Sequence, residues 1–131
     1  MSLNEISYQI RGAVFDVYNE LGPGLMENVY EKAFIIELLN RGLQVENQVL
    51  IEVRYKGCDL GLQYRVDLLV SKQVIIELKS VEILLPVHHK QLITYLKLAR
   101  KPLGFLINFN TESIKDNIIR VANDKSHPDL K

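Results

Sequence analysis

The fold of this chain is decided by the stretch Tyr64-Arg65-Val66-Asp67-Leu68-Leu69-Val70-Ser71-Lys72-Gln73-Val74-Ile75-Ile76-Glu77-Leu78-Lys79. Two runs rich in β-branched and aliphatic residues flank a short polar break, and this pattern predicts a β-hairpin. Side chains alternate between the two faces of a strand, so Glu77 and Lys79 leave the same face of the second run. We therefore expect two charged residues on one side of an otherwise apolar hairpin.

The register of this hairpin determines whether two acids meet. If residues 71–73 form the loop, Val70 lies opposite Val74, and counting back places Asp67 opposite Glu77. Their Cβ atoms would then be about 5 Å apart. Carboxylates in that position repel one another unless a cation lies between them, and the cation is either Lys79 or a metal ion. A β-bulge would shift the pairing by one residue and turn Asp67 to the other face.

Length and composition are those of one ordinary globular domain. The chain has 131 residues, and its formal net charge is zero, so no overall field attracts nucleic acid or an anionic membrane. Any such contact must come from a local patch. The single Cys58 has no cysteine partner for a disulfide or a thiolate metal site, and no apolar run reaches the length of a membrane span. We expect a cytoplasmic protein without membrane contact.

Capping and turn signals divide the chain into elements. Ser2-Leu3-Asn4-Glu5 has the spacing of a capping box, and Gly22-Pro23-Gly24 ends the first helix. The elements that follow are a second helix from about Met26 to Arg41, a strand from Gln44 to Arg54, a segment Cys58 to Leu62 that starts the next strand or forms an edge, the Asp67 to Lys79 hairpin, a helix from Pro86 to near Arg100, and a strand Gly104 to Phe109.

Apolar spacing indicates how these elements pack. One side of the second helix is expected to carry Val29, Tyr30, Ala33, Phe34 and Leu38, and one face of the first strand to carry Val45, Val49, Ile51 and Val53. The strand 104–109 follows a crossover helix, so we expect it to run parallel to a neighbour. Residues 114–121 predict one more short element of undefined type. The order α-α-β-β-β-α-β describes a mixed sheet flanked by helices, in one domain of residues 1–122 with a disordered tail 123–131.

Three motifs in this order resemble those of a known family. Asp67 with Glu77-Leu78-Lys79 on a hairpin resembles the PD-(D/E)XK nuclease superfamily, although Val66 stands where a proline often precedes the acid. The stretch Gly24-Leu25-Met26-Glu27-Asn28-Val29-Tyr30 closely matches the motif that names the GxxExxY protein family, a branch of that superfamily. Gln91 and Tyr95 are similar to the QxxxY element of RecB-like nucleases. The resemblance covers roughly Ile6 to Val121 and implies an α/β (α+β) restriction-endonuclease-like core, α-β-β-β-α-β, with an extra N-terminal helix.

The resemblance also implies a site. Asp67, Glu77 and Lys79 would be catalytic, and Glu27, Asp67, Glu77 and the Leu78 carbonyl would hold Mg²⁺ or Mn²⁺. These oxygen donors suit magnesium, which is commonly held by one or two carboxylates together with waters and substrate phosphate. Four further residues would bind substrate or hold the site in place: Tyr30, His88, Gln91 and Tyr95.

The function that follows is metal-dependent hydrolysis of phosphodiester bonds in nucleic acid, DNA rather than RNA. One alternative is a nucleic-acid-binding or regulatory protein that keeps the fold without turnover, and another is an accessory subunit whose partner supplies substrate affinity. A homodimer is a further expectation. Each residue also has a plain interpretation: Glu77 and Lys79 as an ion pair on a wet strand face, Asp67 as a polar residue near a turn, and Glu27 as an acid at a helix N-terminus. Their joint occurrence favours the nuclease.

Overall fold

The computed structural model describes residues 1–123. The predicted tail 123–131 therefore lies, apart from Asn123, outside the described residues. Asn123 itself is attached to the domain, because its backbone amide donates to the Pro102 carbonyl and its side-chain amide donates to the carbonyls of Leu96 and Lys101.

The elements confirm the predicted order and extend it by a strand. They are α1 Leu3–Leu21, α2 Glu27–Asn40, β1 Val45–Tyr55, β2 Cys58–Val70, β3 Val74–Lys79, α3 Pro86–Ala99, β4 Leu103–Asn108, a 3₁₀ turn Ile114–Asn117 and β5 Ile118–Ala122. The segment beginning at Cys58 is the start of β2. The last element, whose type was undefined, is the 3₁₀ turn followed by β5, which pairs antiparallel with β4.

The first two helices form as their capping signals predict. The Ser2 hydroxyl accepts a hydrogen bond from the Glu5 amide at 3.1 Å, which satisfies one of the free donors at the start of α1. Gly24 has a φ of 98°, a conformation that glycine adopts without steric cost, and it lies in the turn between the helices. The apolar face of α2 differs from the prediction, because Val29 is 41% exposed whereas Tyr30, Phe34 and Leu38 are buried.

Five strands form one mixed sheet in the order β1-β2-β3-β4-β5. The hairpin register is confirmed by three pairs, Leu68 with Ile76, Leu69 with Ile75 and Val70 with Val74. β4 runs parallel to β3, as the crossover helix predicts. Helices α1 and α2 cover one face of the sheet, where they pack on Leu68 and Ile76 among others, and α3 covers the opposite face, where it packs on Ile75.

The strands β1 and β2 change faces in the middle, and this corrects the prediction for β1. Val45 packs with α1 and α2, whereas Val49 and Ile51 pack with α3, although all three residues share one parity. The break is at Gln48, which has a φ of 52°, an uncommon left-handed conformation for a non-glycine residue in a strand. Asn47 pairs with Leu68 and Val49 pairs with Val66. Gln48 therefore lies opposite Asp67. The sheet is therefore irregular at Asp67.

Candidate functional site

Asp67 lies where β2 and β3 separate. The register of main-chain pairs runs from Val70 with Val74 to Leu68 with Ile76. At the next position the Asp67 carboxylate accepts a hydrogen bond from the Leu78 amide at 2.8 Å. A side-chain oxygen thus takes the place of a main-chain acceptor. We predicted that Asp67 and Glu77 would form a directly opposed cross-strand pair. The Asp67 carboxylate is instead hydrogen-bonded to the backbone of β3.

Glu77 is the buried acid of the site, since only 7% of its surface is exposed. It shares the parity of Ile75, which packs against α3. Burial, the negative charge of Asp67 and a hydrogen bond between the two side chains raise the pKa of Glu77 to about 9, against the lowering effect of Lys79. At neutral pH Glu77 therefore keeps a proton that it shares with Asp67. The predicted repulsion between two acids is present and is relieved by protonation.

Lys79 lies beside this pair but does not neutralise it. The side chain is half-buried, and its charge lowers the pKa of Glu77 less than burial and Asp67 raise it. Among the residues that the structure describes, the ion pairs are Arg41 with Asp16 and Arg54 with Glu52, and neither involves Lys79. The simpler interpretation of Glu77 and Lys79 as an exposed ion pair is therefore wrong, because Glu77 is buried and unpaired by a cation.

Glu27 reaches the same region from α2. It is the first residue of the helix, since Met26 is the N-cap. The Ser80 hydroxyl, just after β3, donates to the Leu25 carbonyl at 2.5 Å and joins the start of α2 to the end of β3. A cleft of about 160 Å³ is lined by Glu27, Asn28, Glu31, Gln48, Asp67 and Leu78. Glu77 does not line this cleft, so Asp67 connects the two groups of acids.

Glu31 is an acid of this cleft that the sequence analysis missed. It lies one helical turn after Glu27, and this spacing of four residues could have indicated that both carboxylates share a face. Gln48 donates a hydrogen bond to the Glu31 carboxylate at 2.7 Å. Burial raises the pKa of Glu31, the bond from Gln48 opposes this, and the charges of Asp67 and Glu27 raise it further. The strand irregularity at Gln48 therefore also places a partner for Glu31.

The chemistry of these donors fits one hard divalent cation. Asp67 and Glu77 supply two carboxyl groups that share a proton at neutral pH, and a metal ion can replace that proton. The Leu78 amide points towards Asp67, and in an extended strand the carbonyl of the same residue points to that side as well. Within residues 1–123, no group of three or more His, Cys, Asp or Glu side chains is close enough to hold a metal ion. The fit is thus to two carboxylates and a carbonyl, and Glu27 lines the adjoining cleft with Asp67.

Tyr30 supports the site from the core. It has no exposed surface, and its ring stacks on Phe109 with centroids 4.5 Å apart. The hydroxyl donates to the Gly22 carbonyl at 2.6 Å and accepts from the Leu25 amide at 3.1 Å. Direct contact of Tyr30 with substrate, one of its two expected roles, is excluded by this burial. The side chain instead holds the loop from which Glu27 begins α2.

Gln91 and Tyr95 lie together on α3, as their spacing indicates. They line a second small cleft of about 200 Å³ with Tyr64, Val87, Lys90 and Thr94. The rings of Tyr95 and Tyr64 are 5.3 Å apart. Burial raises the pKa of Tyr95, and the charges of Glu77, Tyr64 and Asp67 raise it further. This part of α3 is therefore close enough to the acid pair to be influenced by its charge.

His88 is not part of that second cleft. Its Nδ1 atom accepts a hydrogen bond from the Leu85 amide at 3.0 Å, just before the first turn of α3. The imidazole thereby satisfies a free donor at the helix N-terminus. The structure separates His88 from Gln91 and Tyr95, with which the sequence analysis had grouped it.

Comparison with known proteins identifies the family of this chain. One solved structure, titled "Crystal structure of SSO0001", is similar to 72% of this chain at 26% identity with a TM-score of 0.49, and the chain spans 47% of that protein. Comparison with curated proteins gives no match. No helix in residues 1–123 is both long enough and apolar enough to cross a bilayer.

The sequence profile of the PD-(D/E)XK nuclease superfamily matches residues 4–121, nearly the whole described domain. The chain belongs to the PD-(D/E)XK nuclease superfamily.

Proposed function

We propose that this protein is a metal-dependent nuclease that hydrolyses phosphodiester bonds in nucleic acid. The observation that carries the proposal is the pair Asp67 and Glu77, two neighbouring acids of which Glu77 is buried and has its pKa raised to about 9. Burying unpaired acids costs stability, and a sheet has no structural need for them. A divalent cation would remove this cost and convert the pair into a binding site.

Each residue has a role in this proposal. Asp67, Glu77 and the Leu78 carbonyl would hold Mg²⁺ or Mn²⁺, and Glu27 and Glu31 would bind its waters from the adjoining cleft. The bound ion would polarise the phosphodiester and lower the pKa of a water molecule. Lys79 would orient the attacking water or stabilise the negative charge that develops on the phosphate. Gln91 and Tyr95, in the cleft on α3, would bind substrate phosphate.

We further propose that the chain is a member of the GxxExxY branch. Each residue of the motif has its own role in the structure. Gly24 has a positive φ in the turn before α2, and Glu27 lines the acidic cleft. Tyr30 is hydrogen-bonded to the loop between α1 and α2. DNA as substrate, a homodimeric state and a cytoplasmic location belong to the same proposal. The exposed, unpaired thiol of Cys58 supports a reducing compartment.

A second candidate function is a nucleic-acid-binding or accessory protein that keeps the fold without turnover. The observation in its favour is that residues 1–123 contain no group of three or more metal-binding side chains in range of one another. A site with two carboxylates binds magnesium weakly until substrate phosphate adds further oxygen ligands. The two functions therefore differ in whether metal binds at all and whether the loaded protein cuts.

The test is calorimetric titration of Mg²⁺ and Mn²⁺ into the wild type and Asp67→Asn, followed by incubation of each with labelled single- and double-stranded DNA and RNA. Metal binding and cleavage by the wild type alone support the nuclease and identify its substrate. Equal metal affinity in both proteins rules out the proposed site. Metal binding without cleavage of any of the four substrates favours the accessory function.

A further inference from the structure

A large cleft of the described domain is separate from the acid pair. It has a volume of about 820 Å³ and lies between the β1–β2 ribbon and the C-terminal half of α3. Its volume is within the range of pockets that bind nucleotide-sized ligands. None of the acids of the candidate site lines this cleft, so it has no role in the chemistry described above.

The cleft combines positive charge with an apolar floor. Four basic residues line it, Arg54, Lys97, Arg100 and Lys101. The acid among the lining residues is Glu52, and its carboxylate is 3.3 Å from the Arg54 guanidinium. The other three cations of the cleft therefore have no ion-pair partner among its lining residues. The floor includes buried apolar residues of three strands: Ile51, Val66, Leu69 and Ile75. A ligand that fits must be anionic at one edge and flat and apolar at the other.

A nucleotide has this combination, because its phosphate is anionic and its base is flat and largely apolar on both faces. A base that is paired and stacked in a duplex does not expose those faces, whereas an unpaired base does. The cations alone would accept any polyanion, and the apolar floor is what selects for exposed bases.

The position of the cleft relative to the acid pair supports a continuous path. Ile75 in the floor and Glu77 have the same parity on β3, so they are about 7 Å apart along one face of the strand. Val66 in the floor is adjacent in sequence to Asp67. The cleft and the acid pair therefore lie next to each other on the sheet, about one nucleotide spacing apart.

We propose that this cleft binds unpaired nucleotides of the substrate strand next to the bond that is cut, and that the protein consequently prefers single-stranded nucleic acid or single-stranded ends. The cations at 97, 100 and 101 contact the phosphates, and the apolar floor contacts one or two bases. This inference rests on the proposed function for the meaning of the acid pair, but binding in the cleft needs no metal ion.

The test measures binding alone, by fluorescence anisotropy with labelled oligonucleotides in the presence of a chelator. The double variant Lys97→Glu, Arg100→Glu removes two cations that are exposed on the surface. Lys115→Glu is the matched control, since Lys115 is exposed and lies outside the cleft. We expect the double variant to bind a thymidine oligomer about tenfold or more weakly, with a smaller salt dependence, and the control to bind within about twofold of the wild type.

Three further arms test the role of the bases and the nature of the ligand. An oligomer with abasic positions and a blunt duplex of the same length should each bind more weakly than the single strand, and polyglutamate should compete poorly. Equal affinity for duplex and single strand, equal effects of the double variant and its control, or strong competition by polyglutamate would overturn the proposal. Thermal unfolding of the double variant, and the neutral variant Lys97→Gln, Arg100→Gln, separate a lost contact from a lost fold.

The outcomes distinguish this proposal from the proposed function. If single strands bind through the cleft but metal-loaded protein cuts no substrate, the nuclease assignment fails and the cleft is retained. If the protein cuts nucleic acid but the cleft variants bind as the wild type does, the cleft assignment fails and the nuclease is retained.

Discussion

The carboxylate of Asp67 accepts a hydrogen bond from the backbone amide of Leu78 at 2.8 Å, at the position where the β2–β3 ladder ends. Leu78 is buried, so its amide has no access to water as an alternative partner. This bond orients Asp67 towards β3 and brings its charge next to Glu77. One side chain thus closes the edge of a hairpin and defines the acid pair.

Two substitutions at Asp67 should separate these roles. Asp67→Asn keeps an oxygen acceptor for the Leu78 amide, whereas Asp67→Ala leaves the amide buried and unpaired. Both variants should lose metal binding, and the alanine variant should be less stable than the asparagine variant by about 1–3 kcal/mol. Urea unfolding with chelator present measures the difference. Equal stability of the two variants would show that the bond to Leu78 contributes nothing to folding.

The raised pKa of Glu77 predicts how stability depends on pH. Its folded value of about 9 is above its ordinary value of 4.5, so the folded state binds the proton more tightly than the unfolded state does. The resulting stabilisation is complete below pH 4.5 and is lost as the pH rises towards 9. Metal-free wild type should therefore lose stability between pH 5 and pH 9 relative to Glu77→Gln, by denaturant unfolding across that range. Parallel curves for the two proteins would contradict the assignment.

Metal binding should release a proton at neutral pH. Glu77 is protonated there, and a carboxylate must lose its proton to bind a cation. Calorimetry in two buffers of different ionisation enthalpy should give about one proton released per ion bound, and metal affinity should rise with pH up to about 9. In Glu77→Gln the proton release should disappear. Binding without proton release in the wild type would place the metal elsewhere.

Lys79 should affect turnover far more than metal binding. Removal of its charge should change metal affinity little, because it raises the pKa of Glu77 but also removes a cation that repels the metal ion. Lys79→Met should lower the cleavage rate about 10²- to 10³-fold at saturating metal, because it removes a charge close to the reacting phosphate. Lys115→Met is the matched control, since Lys115 is exposed and lines neither of the two small clefts. Retained turnover in Lys79→Met would exclude a catalytic role.

Tyr30→Phe tests the support of the loop before α2. The change removes a hydroxyl that bonds to the Gly22 carbonyl and the Leu25 amide but leaves the ring stacked on Phe109. We expect a loss of about 1–3 kcal/mol in stability, with metal affinity of the folded protein unchanged. Unfolding and calorimetry on the same sample provide both quantities. A loss of metal affinity without a loss of stability would assign Tyr30 to the site itself.

Local patterns were sufficient for most of the fold. The register of the hairpin followed from the three residues of its loop, because the turn fixes which residues face each other. The direction of β4 followed from the helix that precedes it, since such a crossover connects parallel strands. The cap at Ser2 is formed within one turn and depends on residues that are neighbours in sequence.

The details of the site could not be predicted in the same way. The face change in β1 results from the left-handed conformation of Gln48. The alternation of apolar residues along β1 continues through this position without interruption, so the sequence pattern did not indicate the change. His88 was grouped with Gln91 and Tyr95 as a substrate-binding residue. Its imidazole instead accepts a hydrogen bond from the Leu85 amide at the start of α3. The proximity of Glu31 to Asp67 depends on how α2 is placed on the sheet.

The sequence alone thus determined the order of the elements and the register of the hairpin, because strand alternation and loop length are local properties of the chain. Its resemblance to the PD-(D/E)XK superfamily indicated Asp67, Glu77 and Lys79 as the candidate residues. Only the tertiary structure decided that Asp67 bonds to the Leu78 amide, that Glu77 is buried and protonated, and that four cations line one apolar cleft. Burial, charge and cleft shape depend on which distant segments pack together, and no local pattern contains that information.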